Sequence, residues 1–266
     1  MPALIVIPAR YASTRYPGKP LVGLKGAGGQ VKSLIRRSWE AATAVPGGHH
    51  VVVATDDDRI ADAARDFGAE VVMTSETCGN GTERCAEAFD ALGGGYDIVV
   101  NLQGDAPLTP AWFVEELIAG LEADPVAEVA TPVLRCDGAG LNALLADRRA
   151  GRVGGTTAVF GWDRKALYFS KEVIPYTGRS YPDGEATPVF HHVGCYAYRP
   201  SALAAYPRWE AGPLEQLEGL EQLRFLEREH PVLCVEVEAR GRQFWELNNP
   251  EDVPRIEEML ARMGVE

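Results

Sequence analysis

Apolar positions in the first half of the chain come in short unbroken runs, and between these runs they recur with helical spacing. Ile5-Val6-Ile7, Val51-Val52-Val53 and Ile98-Val99-Val100 lack the alternation of a half-exposed strand. Such runs suit parallel strands covered on both faces. Strands are therefore predicted at 3–8, 50–54, 70–73, 97–101 and 128–133, with helices near 32–44, 58–67, 82–92 and 110–123. Strands alternating with helices of this length imply βαβ units and an α/β fold, a Rossmann-like, doubly wound and mostly parallel sheet.

Past about residue 135 the rhythm breaks. Residues 137–155 are polar, small and Gly-rich, and 176–188 collect Gly, Pro, Ser and Asp. Between and after them lie strand candidates at 156–160, 166–169 and 193–198. The pattern predicts a single domain over 1–266 with an irregular substrate-covering or dimer-forming subdomain at about 156–198. One long amphipathic helix is expected over roughly 213–229, then a strand at 232–237 and a closing helix over 250–263.

Composition narrows the partners. The 266 residues carry a formal charge of −12, with 46% hydrophobic and 24% charged positions. That balance argues against nucleic acid and anionic membrane surfaces, which need a basic face. No segment approaches the ~20 apolar residues that span a bilayer. The opening residues lack a basic leader region, so a cytoplasmic location is expected. Five scattered cysteines without a C-x-x-C pair read as reduced thiols rather than a disulfide or zinc framework. The adjacent pairs His49-His50 and His191-His192 lack the i, i+4 spacing of helical metal ligands.

Against that acidic background the loop after the first strand is cationic. Arg10, Arg15 and Lys19 leave its carboxyl end, where open α/β sheets bind ligands. Arg forks and a Lys point charge both suit the oxygens of a triphosphate. Pro20 stands where a Walker A loop would place Ser or Thr for magnesium. The acids of Thr55-Asp56-Asp57-Asp58 suit the capping of the next helix. Gly79-Asn80-Gly81-Thr82-Glu83-Arg84 opens another, with amides for a base or a phosphate. Gln103-Gly104-Asp105 ends a buried strand and brings a carboxylate to the same edge, where magnesium could share it with phosphate oxygens.

Together, Ile7-Pro8-Ala9-Arg10 through Lys19-Pro20-Leu21, Ala54-Thr55-Asp56-Asp57, Gly81-Thr82-Glu83-Arg84 and Gln103-Gly104-Asp105 resemble the CMP-Kdo synthetases (3-deoxy-manno-octulosonate cytidylyltransferases). Ala166–Lys171, His192–Arg199 and Pro213–Arg224 extend the resemblance over almost the whole chain. It implies attack by a sugar-acid hydroxyl on the α-phosphate of CTP, with pyrophosphate leaving, for surface polysaccharide synthesis in lipopolysaccharide or capsule. By the same resemblance Arg10, Arg15 and Lys19 hold the triphosphate, and Gly81, Arg84 and Gln103 lie near the nucleotide. Asp105 binds Mg2+, with Asn248 at the position of a second ligand. Gln103, Lys171, His192, Tyr196, Glu215 and Gln216 line the sugar-acid site, and a homodimer is implied.

Four departures mark a divergent member. Ala106 replaces the Glu of Gln-Gly-Asp-Glu-Pro, and Asn248 replaces the first Asp of Val-Asp-Thr-Pro-Glu-Asp, with Glu246 close by. Lys171 stands where the family commonly has Arg. Residues 151–157 replace a Val-Lys-Val-type strand, and an insert at 25–30 lengthens the connection after the cationic loop. An 8-amino-Kdo or other 2-keto-3-deoxy acceptor, or a non-catalytic nucleotide-binding relative, are the alternative readings.

Overall fold

The first strand carries four side chains, Leu4 to Ile7, with no exposed surface at all. Each such burial is worth roughly 1.5–3 kcal/mol against exposure, which makes this run the natural centre of a sheet. The structure, a computed structural model, describes residues 2–12, 16–153, 155–242 and 245–266. Arg15 lies outside the described residues.

In chain order the elements are β1 (Leu4–Ala9), β2 (Gly23–Lys25), β3 (Val31–Ser33), α1 (Leu34–Thr43), β4 (His50–Thr55), α2 (Asp58–Asp66), β5 (Glu70–Met73), α3 (Gly81–Ala91), β6 (Val99–Leu102) and α4 (Ala111–Ala123). There follow β7 (Val129–Asp137), α5 (Gly138–Arg149), β8 (Thr156–Phe160), β9 (Ala166–Ser170), β10 (Ala186–His192), β11 (Cys195–Tyr198), α6 (Pro200–Ala205), α7 (Pro213–Glu218), α8 (Leu223–Glu227), β12 (Val232–Glu236) and α9 (Asp252–Met263). The chain divides into two compact units, 1–115 with 239–266, and 116–238.

In the first unit β5, β4, β1 and β6 run parallel in that order, in register from Leu4 opposite His50 to Ala9 opposite Thr55. The crossovers are α1, α2 and α3. Asp57 caps α2 by accepting from the Arg59 N–H, and Asn80 caps α3 by accepting from the Glu83 N–H. The insert at 25–30 is the turn of the antiparallel β2–β3 hairpin. Leu24 of that hairpin shares a core with Leu34, Leu108, Leu247 and Ile256, Met259 and Leu260 of α9.

In the second unit β7 is the hub, antiparallel to β10 and β11 and parallel to β12, while β8 joins β10 to β9. The polar, Gly-rich stretches at 137–155 and 176–188 hold more regular structure than their composition predicts. Residues 138–149 form α5, because Asp137 accepts from the Gly140 N–H and Leu141 and Leu144 are buried against Val189. The stretch at 186–192 is strand β10. The long helix expected at 213–229 is instead two short ones, broken by Gly219 in the left-handed conformation (φ 61) that ends α7. Among the described residues no helix is long and apolar enough to cross a membrane.

Candidate functional site

Parallel strands deliver their following loops to one edge, and in the first unit that edge collects most of the residues singled out above. Arg10, exposed, follows β1 directly. Gly18 takes a left-handed conformation (φ 71) against the Tyr11 ring, where a side chain would crowd the aromatic carbons, and Lys19 then starts a short 3-10 turn. Its Nζ donates to Asp105 Oδ2 at 2.7 Å.

The Asp105 backbone is fixed from several sides. A Cβ on Gly104 would stand 2.7 Å from the Pro8 carbonyl, so only glycine lets this turn lie against the end of β1. Ser38 Oγ donates to the Gly104 carbonyl at 3.1 Å, and the Leu247 N–H donates to the Asp105 carbonyl at 3.0 Å. That last bond brings the segment containing Asn248 beside Asp105. Asp252 secures it by accepting from the Asn248 and Asn249 N–H groups and from Trp245 Nε1.

Gln103 and Asn101 both face the first turn of α3, where a Cβ on Gly81 would stand 3.0 Å from one amide nitrogen and 3.1 Å from the other. Arg84, buried, donates from Nη2 to Asp56 Oδ2 at 2.8 Å and from Nη1 to Thr74 Oγ1. Its charge is therefore matched within the protein. The role of Asp56 here was not evident from its place in an acidic, helix-capping run.

The second unit holds another group. His192 is buried between the Phe169 and Tyr196 rings, at centroid distances of 5.0 and 5.7 Å. Burial, then the neighbouring His191, lowers its pKa to about 3, so the ring is neutral. Thr131 Oγ1 donates to the Cys195 carbonyl at 2.9 Å and lies 2.9 Å from His192 Nε2. A hydroxyl has one proton, so Nε2–H is the donor to Thr131 and Nδ1 is the acceptor.

Tyr196 donates its hydroxyl to Gln222 Oε1 at 3.0 Å. Gln222 is 1% exposed, and its Nε2 is buried without a partner. An unpartnered buried amide is costly unless a ligand oxygen meets it. Sequence reasoning missed this residue, although Leu220-Glu221-Gln222 repeats the triplet Leu214-Glu215-Gln216.

Glu215 and Gln216 have other partners. Glu215 receives Nε and Nη2 of Arg224 at 2.7 Å each, and the guanidinium stacks on Tyr206 at 4.1 Å. Gln216 is exposed and donates to the Ala211 carbonyl at 2.8 Å. Lys171, half-buried, donates its backbone N–H to Glu218 Oε2 at 2.9 Å, and its Nζ lies close beside Gly219.

All five cysteines are free thiols. Burial pushes those of Cys78, Cys195 and Cys234 up to about 12 and that of Cys136 to about 11, so none is a thiolate nucleophile at neutral pH. Among the described residues no three His, Cys, Asp or Glu converge on a metal position.

A family model described as "Cytidylyltransferase" matches residues 4–232. The 3-deoxy-manno-octulosonate cytidylyltransferase of Maricaulis maris is 45% identical over 264 residues, covering 99% of either chain. The mitochondrial enzyme of that name from Arabidopsis thaliana is 39% identical over 98% of this chain and 83% of its own. A solved structure of CMP:2-keto-3-deoxy-manno-octonic acid synthetase complexed with CTP superposes with a TM-score of 0.82 at 32% identity, covering 99% of this chain and 100% of that one.

Proposed function

The chain belongs to the 3-deoxy-manno-octulosonate cytidylyltransferase family, and from that premise we propose that it transfers CMP from CTP to Kdo, releasing pyrophosphate. The observation that carries the site reading is the meeting of Lys19 and Asp105 at the carboxyl edge of the parallel strands. One supplies a cation for phosphate oxygens, the other a carboxylate for a metal that travels with them. In this reading Arg10, Arg15 and Lys19 draw negative charge from the triphosphate as the bond to pyrophosphate breaks. Gly81, Gln103 and Arg84, the last neutralised by Asp56, border the nucleotide.

The donor set fits magnesium in a specific way. A single half-exposed carboxylate, with the segment that carries Asn248 bonded to its backbone, makes no complete protein cage among the described residues, and magnesium commonly completes its shell with substrate phosphates and water. Asp105 and Asn248 would hold the ion, which when bound screens the phosphate charge and polarises the α-phosphate.

The Kdo site is assigned to the second unit's polar group. Nδ1 of neutral His192 accepts a sugar hydroxyl, Gln222 Nε2 donates to a sugar oxygen, and Lys171 supplies the counter-charge for the carboxylate. Glu215 enters as the brace that holds Arg224 beside Gln222, and Gln216 as a rim residue. The unit also exposes Trp162, Leu167, Tyr176 and Leu217, which supports a second copy of the chain as the partner. We place the enzyme in the cytoplasm, in surface polysaccharide synthesis.

Pyrophosphate release from CTP and magnesium tests the reading, with Kdo and then 8-amino-Kdo as acceptors. Release with Kdo is expected. Release with the amino sugar alone would move the acceptor and keep the chemistry. No release with either, despite CTP binding, would overturn it.

A further inference from the structure

Lys19 and Asp105 are each the group that the other's ligand requires, and in the free chain they are spent on one another. The contact is short, 2.7 Å, and partly sheltered, with the side chains 13% and 28% exposed. Shelter matters, because a fully exposed pair of this kind would contribute almost nothing. A metal arriving alone meets a carboxylate already holding an ammonium. A triphosphate arriving alone meets an ammonium already holding a carboxylate. Either ligand, in taking its own partner, strands the opposite charge in a partly desolvated place.

We infer that the Lys19–Asp105 pair is a latch that couples metal and nucleotide binding: each ligand alone binds weakly because it must break the pair, and the two together satisfy both charges. The inference rests on the cytidylyltransferase reading of this edge and adds a thermodynamic property to it. The structure also says which side moves. Asp105 is tied through Gly104 against Pro8, through Ser38, and through the Leu247 N–H, so its carboxylate is presented from a rigid turn. Lys19 reaches it on a flexible four-carbon stem from a turn that already belongs to the cationic loop. Opening the latch therefore needs a side-chain rotation at Lys19 and no displacement of the metal-side loop.

The coupling has a distinctive consequence. Removing one charge improves binding of the ligand that the other charge serves. In EDTA, Asp105→Asn should bind CTP at least about fivefold more tightly than the unsubstituted protein, the low end of ordinary coupling energies. With no nucleotide, Lys19→Met should bind Mn2+, the spectroscopic stand-in for magnesium, tighter by a similar factor, about fivefold. Glu246→Gln serves as the charge control. It removes a carboxylate one residue from Leu247, the residue bonded to Asp105, and leaves both members of the pair in place.

Calorimetry for CTP in EDTA and paramagnetic resonance of free Mn2+ give the two affinities without any turnover. Gains in both variants with Glu246→Gln unchanged support the latch. Absence of either gain, or an equal gain in Glu246→Gln, overturns it, the latter because general electrostatics would then suffice. If Mn2+ and CTP together still bind the unsubstituted protein, such a result leaves the cytidylyltransferase reading standing. Failure of CTP to bind even with Mn2+ would sink that reading along with the latch.

Discussion

The guanidinium of Arg84 reaches from α3 to the loop after β4 and donates to Asp56 across 2.8 Å, with 3% and 13% of the two side chains exposed. It joins two of the crossovers that shape the proposed nucleotide edge. Removing the carboxylate's charge leaves a buried cation with neutral acceptors only, a change that typically costs 3–5 kcal/mol. Asp56→Asn should therefore lower thermal stability markedly and raise KM for CTP more than it lowers kcat. Conserved stability with a normal KM would show the pair to be incidental.

Gln222 separates recognition of the sugar acid from the scaffold that holds it. Gln222→Leu keeps the volume but removes both the acceptor of the Tyr196 hydroxyl and the unpartnered donor. KM for Kdo should rise about tenfold or more, as expected for loss of a buried polar contact, with KM for CTP unchanged. Glu215→Gln breaks the bidentate pair with Arg224 instead, and its first effect should be lost stability of about 3–5 kcal/mol in denaturant unfolding. An enzyme that loses Kdo affinity with no loss of stability on Glu215→Gln would put that carboxylate on the substrate.

His192 supplies a pH test with a definite sign. The unfolded chain takes up a proton near 6.5, whereas the folded ring, desolvated, resists it down to about 3. The stability due to the neutral ring is present above pH 6.5 and is lost progressively as pH falls below that value toward 3. His192→Gln should flatten the acid limb of stability against pH by up to about 1.4 kcal/mol per pH unit, one proton's worth. The rate profile between pH 6 and 8 should carry no inflection from this residue. An imidazole NMR titration near 6.5 would refute the assignment of a neutral, buried ring.

The proposed homodimer makes a simple demand on the exposed apolar side chains of the second unit. Leu217 is 82% exposed and Leu167 69%. Leu217→Glu should convert a dimer to a monomer in light scattering without changing far-ultraviolet circular dichroism. A dimer that survives both Leu217→Glu and Leu167→Asp would place the interface elsewhere.

How much of this was legible in the residues follows from where each signal resides. Parallel strands buried on both faces declare themselves as apolar runs, as β1, β4 and β6 do. The loops after β1 and β6 meet because both leave the same edge, so Lys19 and Asp105 could be grouped without coordinates. Helix α5 was hidden by Gly138 and Gly140, although Asp137 caps it and Leu141, Leu144 and Leu145 keep helical spacing. Gly219 sat in plain view inside an otherwise helical pattern, and its left-handed conformation splits α7 from α8. The split folds Arg224 back onto Glu215, and no linear period reports such a pairing. Gln222 was missed for the same reason, since only the fold shows which amide of the repeat is buried.

The metal side of the site yields the sharpest pair of substitutions. Asp105 is the one carboxylate at this edge assigned to magnesium, and its backbone is held by bonds that do not involve its side chain. Asp105→Ala should abolish pyrophosphate release while the melting temperature stays within a few degrees; near-normal turnover would remove Asp105 from the mechanism. Asn248 lies on the segment whose Leu247 N–H bonds Asp105, and Asp252 secures that segment through the Asn248 and Asn249 amides. An aspartate there adds charge without changing size or the backbone bonds. Asn248→Asp should therefore lower the magnesium concentration for half-maximal rate, since an oxygen ligand with charge holds a hard cation more tightly than a neutral amide. An unchanged magnesium requirement would mean that residue 248 is not a ligand, and the ion would then rest on Asp105 and the phosphates alone.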